Sequence, residues 1–179
     1  MPWANGGGTT REIVAVPESG EWWWRLSIAD VVGDGPFSLL PGVQRTIALL
    51  QGRGFVLRVG GAVAQPIIEP FQPVLFDGGD ATDCTLVDGP VMDLNLMERG
   101  VARTLDLRFM AVAAEGVCSV TGALAVLVVA GAVVAGAVMT GGDELGLLDA
   151  VIGSSPAIEP LVFAGGSDGA VLAVVSSMR

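Results

Sequence analysis

Glycine, proline and aspartate divide nearly the whole chain into apolar segments that are too short for helices and suited to strands. Strands average five or six residues and globular helices about eleven or twelve, and no long stretch here carries the 3.6-residue apolar period of an amphipathic helix. Runs such as "REIVAV", "WWWRLSIADV", "RTIALL", "FVLRV", "QPVLF", "CTLV", "VMDLNLM" and "TLDLRFMAV" are expected as strands. "LGLLDAV", "PLVF" and "AVLAVVS" continue the pattern, which predicts an all-β protein. "LLQGRGFVL" and "GGSDGAV" read as hairpins, the second turning at Asp168-Gly169.

One segment competes with this reading. "GVCSVTGALAVLVVAGAVVAGAVMTGG" (116–142) is uncharged and long enough to span a bilayer as a helix. Its valine and glycine content, its acidic neighbours Glu115, Asp143 and Glu144, and the lack of nearby arginines favour two buried strands, "LAVLVVA" and "AVVAGAVM", turning near Gly131. The N-terminus shows no basic-then-apolar signal, so a cytoplasmic location is expected.

Composition removes whole classes of chemistry. The chain has 179 residues, enough for one domain or two small fused ones, and its apolar fraction of 51% supports a substantial core. Its net charge of −10 argues against binding nucleic acid or an anionic membrane surface. All nine basic residues are arginines, so neither a Walker lysine nor a Schiff-base lysine is available, and the Asn5–Gly8 glycine cluster reads as a turn leading into a strand. There is no histidine and no tyrosine, hence no imidazole base and no histidine-bearing metal site. Cys84 and Cys118 form no metal-spaced pair and read as small hydrophobes of a reducing compartment, with a single bridge left open. Asp77, Asp80 and Asp83 hint at calcium but lack the loop pattern, which favours a solvated acidic turn.

Period-two alternation assigns faces. Trp22, Trp24, Leu26 and Ile28 share one side of their strand, and Trp23, Arg25, Ser27 and Ala29 the other. Met92, Leu94 and Leu96 similarly oppose Asp93, Asn95 and Met97. The mixed faces either meet water or line the polar lumen of a barrel, with Arg25, Ser27, Asp93 and Asn95 converging on a ligand; periodicity alone does not choose. Arg45 follows a turn-rich link, "DGPFSLLPGVQRT", and offers a rigid fork of donors suited to a carboxylate.

"IEPFQPVLFDGGD" from Ile68 is echoed by "IEPLVFAGGSD" from Ile158, and "VGGAVA" from Val59 by "VAGAVV" from Val129. Such matches also arise by chance in a chain this rich in Gly and Val; if real, they imply two similar β-units side by side.

The segments "PWANGGGTTREI", "WWRLSIADV", "DGPFSLLPGVQRTIALLQG", "PFQPVLF" and "GPVMDLNLMERG" occur in the order and approximate spacing of the HutD/Ves family, which the chain resembles from residue 2 to about 100. The resemblance implies a cupin-type double-stranded β-helix, duplicated as a bicupin. Residues 1–100 would form the first barrel half, and residues 101–179 a second, degenerate half packed on it in one compact unit. It also implies that the 116–142 run is barrel strand and not a membrane helix. Family members carry a longer segment before the P-W-x-N-G-G-G stretch; here Met1 adjoins it, so either the start is truncated or mis-assigned, or one strand is missing and an edge is exposed.

The family is associated with histidine utilisation. What it implies here is a metal-free, cofactor-free, non-catalytic protein binding a small organic acid: a formylated or formiminoglutamate-like acid, or urocanate. Arg25 and Arg45 are the expected carboxylate partners, with Ser27, Ser38, Asp93 and Asn95 completing the site by hydrogen bonding. Asn5, Thr9, Thr10 and Arg11 would belong to a loop covering the first barrel or its mouth. The alternatives are a metal-independent hydrolase or isomerase using Asp93 as acid or base, and a homodimeric interaction module.

Overall fold

The structure is a computed structural model and describes residues 1–100, 104–135, 143–153 and 160–178. These residues form two compact units, Met1–Arg103 and Thr104–Arg179. Every regular element among them is a strand, and no helix is long and apolar enough to cross a membrane.

The first unit contains β1 (Gly8–Val16), β2 (Trp24–Val31), β3 (Gly35–Pro36), β4 (Val43–Gln51), β5 (Phe55–Val59), β6 (Gln65–Ile67), β7 (Val74–Asp77), β8 (Thr82–Leu86) and β9 (Val91–Arg99). A five-stranded sheet runs β1-β2-β9-β4-β7 and a four-stranded sheet β3-β8-β5-β6. One apolar cluster joins them: Ala29, Val31, Ile47, Leu49 and Val91 come from the first sheet, and Phe55, Leu57, Ile67 and Cys84 from the second. The two sheets therefore face each other across a shared interior, as in a barrel or sandwich. Leu26, Ile28, Ala48, Leu94 and Leu96, on the other face of the first sheet, are also buried.

"LLQGRGFVL" is not a paired hairpin. The turn at Gly52–Gly54 carries the chain from β4 in one sheet to β5 in the other, so the two strands share no ladder. Among the N-terminal glycines, Gly8 makes a close backbone approach. A Cβ on Gly8 would lie 2.4 Å from the carbonyl oxygen of Asp30 and 3.2 Å from the Trp3 ring.

The second unit contains β10 (Leu105–Val112), β11 (Val117–Val120), β12 (Ala123–Ala135), β13 (Asp143–Leu145), β14 (Ala150–Ile152) and β15 (Leu161–Ser177). They form one sheet in the order β10-β15-β12-β13, with β11 on β15 and β14 on β12. Its apolar cluster includes Val112, Val120, Val126, Val133, Phe163, Leu172 and Val174.

Two expected turns are absent here. Gly131 reverses nothing: β12 runs straight through it, and Gly131 and Gly169 instead mark a bulge where β12 meets β15. Gly131 has φ +72°, and a Cβ there would sit 2.1 Å from the carbonyl oxygen of Gly169, so the crossing requires glycine. Asp168-Gly169 lies in the same bulge within β15 and is not a hairpin tip. The 136–139 end of the expected second strand, and Ile158 and Glu159 of the repeat, lie outside the described residues.

Candidate functional site

β9 is the central strand of the first sheet, and its register places three rows of side chains across the interior face. Arg25 (β2), Met97 (β9) and Arg45 (β4) form the first row; Ser27, Asn95 and Ile47 the second; Ala29, Asp93 and Leu49 the third. The apolar ends of these strands belong to the core, and their polar ends line a cavity of about 530 Å³. Such a volume suits a small molecule.

All six residues assigned to the ligand from sequence, Arg25, Ser27, Ser38, Arg45, Asp93 and Asn95, line this cavity. Of the two readings that alternation left open for the mixed faces, lining an interior cavity holds for β2 and β9, where Ser27, Asp93 and Asn95 are 1%, 1% and 4% exposed. Of the four mouth-loop residues, Asn5 and Thr10 line the cavity. Thr9 and Arg11 do not: β1 starts at Gly8, so these residues are in a strand, and both are exposed. Thr9 pairs with Asp30 across the ladder and Arg11 with Ile28.

Sequence reasoning missed the aromatic part of the mouth. Trp3 and Phe37 meet edge to face at 6.0 Å, and Trp3 Nε1 donates to Thr10 Oγ1 at 2.7 Å. The Arg45 guanidinium lies 5.0 Å from the Phe37 ring centroid and 4.9 Å from that of Phe76. Arg25 lies 5.3 Å from the Trp22 ring, which Arg99 also approaches, at 4.7 Å. Ala29 and Met97 were already on the mixed faces by alternation, whereas nothing local in sequence signals Trp3 or Phe37.

The polar groups form a directed chain. Arg45 Nη2 donates to Asn95 Oδ1 at 2.7 Å, and Asn95 Nδ2 donates to Asp93 Oδ1. Arg25 Nη2 lies 3.2 Å from the Met97 sulfur, and its Nη1 is 3.9 Å from Glu12. Among the described residues, three buried side-chain polar atoms have no hydrogen-bond partner: Arg25 Nε, Arg45 Nε and Asp93 Oδ2. In a native interior such atoms call for an explanation, of which a ligand is one.

Burial dominates the electrostatics. It raises the Asp93 pKa to about 7, against the opposing pull of Arg45 and the Asn95 hydrogen bond and with some help from Asp30. Burial lowers Arg45 to about 10, opposed by Asp93 and reinforced by Arg25, so the guanidinium stays charged at neutral pH. Cys84, in the core, is pushed up to about 12 by burial and then by Asp93 and Asp34, so it is a neutral thiol. Cys84 and Cys118 are both free.

A metal of the kind many cupins hold does not fit this lining, which offers one carboxylate beside two guanidiniums and no imidazole. Among the described residues no group of three or more His, Cys, Asp or Glu side chains is placed to hold a metal. Asp77 accepts a hydrogen bond from the Gly79 amide at 2.7 Å, as in an ordinary acidic turn.

The HutD family model matches residues 1–172. An uncharacterized 21.2 kDa protein in the hutC 3' region of Pseudomonas putida is 45% identical over 101 residues, covering 54% of this chain and 52% of that protein. Protein Ves of Citrobacter koseri is 43% identical over 99 residues, covering 54% and 51%. The chain thus spans about half the length of the curated relatives it matches. Among solved structures, a conserved protein of unknown function from Pseudomonas aeruginosa superposes with a TM-score of 0.86 at 30% identity, over 100% of this chain and 93% of that one. HutD from Pseudomonas fluorescens superposes at 0.75 with 33% identity, over 100% and 94%. A cupin 2 conserved barrel protein from Leptotrichia buccalis, at 10% identity, TM-score 0.61 and 96% and 89% coverage, shares the fold. The match of the family model across residues 1–172 places this chain in the HutD family.

Proposed function

We propose that the first unit is a non-catalytic binding site for a small carboxylate. The observation that carries this reading is the pair of guanidiniums, Arg25 and Arg45, set on either side of Met97 in one row, each with its Nε buried and unpartnered. A carboxylate between them would accept from two forks in a region of low dielectric, where charge-assisted hydrogen bonds are strongest. Because the chain carries a net charge of −10, this local positive pair is a specific feature and not part of a general basic surface.

The names of two relatives support one chemical class of acid. One is a protein of a hutC 3' region, and the HutD of Pseudomonas fluorescens was solved in a formate condition. An acid formed in histidine degradation, such as a formylated or formiminoglutamate-like acid or urocanate, is the ligand proposed for this chain, acting in the cytoplasm to sense or limit that intermediate.

The test is a thermal-shift screen followed by calorimetry with formate, formylglutamate, formiminoglutamate, urocanate, glutamate and histidine. A ligand that binds only the folded state raises the melting temperature as its concentration passes Kd. A saturable shift with one acid, reduced at least about tenfold in affinity by Arg45→Ala, supports the reading; no shift with any acid overturns it.

One observation favours a second reading, a metal-independent hydrolase or isomerase. Asp93 exchanges its proton near neutrality, which suits a general acid or base. Turnover of one of these acids, lost in Asp93→Asn, would establish it.

A further inference from the structure

We infer that the cavity is bipolar and that its preferred ligand is amphoteric: the carboxylate lies between Arg25 and Arg45, and a basic N–H group of the same molecule meets the Asp93 carboxyl. This inference rests on the carboxylate reading above and adds the second half of the ligand.

The argument begins with Asn95. Its amide has one acceptor end and one donor end, and both are used within the protein. Arg45 occupies Oδ1, and a guanidinium only donates, so the orientation of the amide is set. Nδ2 must then face Asp93, where it donates to Oδ1. Asn95 has no further acceptor to offer the Asp93 end of the cavity.

Asp93 is consequently under-served. A carboxylate accepts about four hydrogen bonds when fully solvated. Here Asn95 supplies one donor to Oδ1, and Oδ2 has none. Its cross-strand neighbours in the third row, Ala29 and Leu49, are apolar and supply nothing. The charged groups acting on it are Arg45 from β4 and Asp30 from β2, with the Cys84 thiol on β8 coupled to it from the second sheet. Asp93 is thus a buried acceptor at one end of a cavity whose other end holds two cationic donors.

The two poles are close together. One amide separates the Arg45 guanidinium from the Asp93 carboxyl, so two hydrogen bonds and the width of an amide set a span on the order of 7 Å. A molecule lying across the Asn95 row can therefore touch both, provided that its carboxylate and its nitrogen are a few bonds apart. A plain alkanoate fills the arginine end and leaves Asp93 buried against a methyl group, which costs the ionised form further desolvation.

The experiment compares each short ω-amino acid with its methyl isostere at pH 8, where Asp93 is largely ionised: glycine with propanoate, β-alanine with butanoate, and 4-aminobutanoate with pentanoate. Calorimetry on the wild-type chain needs no variant. At least one amino acid is expected to bind about tenfold more tightly than its isostere, and Asp93→Asn, which keeps the shape, should erase that preference. Isosteres binding equally well, or better than the amino acids, overturns the bipolar inference and leaves the carboxylate site standing. Failure of both members of every pair, with Arg45→Ala unchanged from wild type, overturns the carboxylate reading itself.

Discussion

Arg45 and Asn95 stand diagonally on neighbouring antiparallel strands, and the Nη2 of the arginine donates to the Oδ1 of the asparagine at 2.7 Å. Directly across from Arg45 is Met97, so the guanidinium leans along the strand by one row to make this bond. That lean brings the positive end of the cavity near Asp93 and makes Asn95 a spacer between opposite charges. Replacing Asn95 with Ala removes a partner from two buried groups at once. The expected loss is about 2–4 kcal/mol, measured by urea denaturation, because each stranded buried polar group costs about 1–3 kcal/mol.

The Asp93 pKa predicts a pH signature. Its folded value, about 7, lies above the ordinary carboxylate value, so the folded state holds this proton more tightly than the unfolded chain does. The stability linked to it is fully present below the unfolded pKa, falls as pH rises from about 4, and is lost by the time pH has passed through about 7. Burial sets this value; of the groups facing Asp93, Arg45 and Asn95 oppose the rise and Asp30 adds to it. A melting temperature that drops by several degrees between pH 5 and pH 8 in wild type, and stays flatter over that range in Asp93→Asn, is the expected result.

Trp22 should act as a positioning residue for Arg25. Its ring faces the Arg25 guanidinium at 5.3 Å and also carries Arg99 at 4.7 Å. A cation–π contact at a partly exposed site is worth about 0.5–1 kcal/mol, so Trp22→Ala should weaken acid binding by about two- to fivefold. Trp22→Phe should recover part of that loss, which a merely structural effect on folding would not reproduce in the binding titration.

Gly8 is the position of tightest backbone approach in the N-terminal loop. A Cβ there would clash with the Asp30 carbonyl and press on Trp3. Gly8→Ala should destabilise the first unit by about 1–3 kcal/mol, seen as an earlier thermal transition. It should also disturb the Trp3–Thr10 bond at the cavity mouth.

Much of the site was legible because strands alternate. Arg25 with Ser27, and Asp93 with Asn95, could be paired on the same faces without knowing which strands would be neighbours. What alternation could not supply was the environment of those faces. The mixed sides of β2 and β9 meet a second sheet and a cavity instead of water, and that depends on where the chain crosses from β4 to β5. The crossing was misread because a Gly-Arg-Gly turn looks the same whether it joins paired strands or changes sheets. Gly131 and Gly169 misled in a similar way: glycine in an apolar run marks an irregularity, and a bulge and a reversal leave the same local trace. Trp3 and Phe37 reach the cavity from irregular segments whose course is set by long-range contacts, so no period in the sequence points to them.

The place of β9 within its sheet has a consequence for exchange with solvent. It is bordered by β2 on one side and β4 on the other, and neither of its edges is free. Central strands open only with the whole cooperative unit, whereas edges and loops fray at little cost. The amide protons of Asp93, Asn95 and Met97 should therefore be among the last to exchange with deuterium, while those around Asn5 and Ser38 exchange early. A ligand would reach a rigid floor through a yielding mouth, and its residence time would be governed by the motion of the Trp3 and Phe37 segments, with the arginine pair already in place.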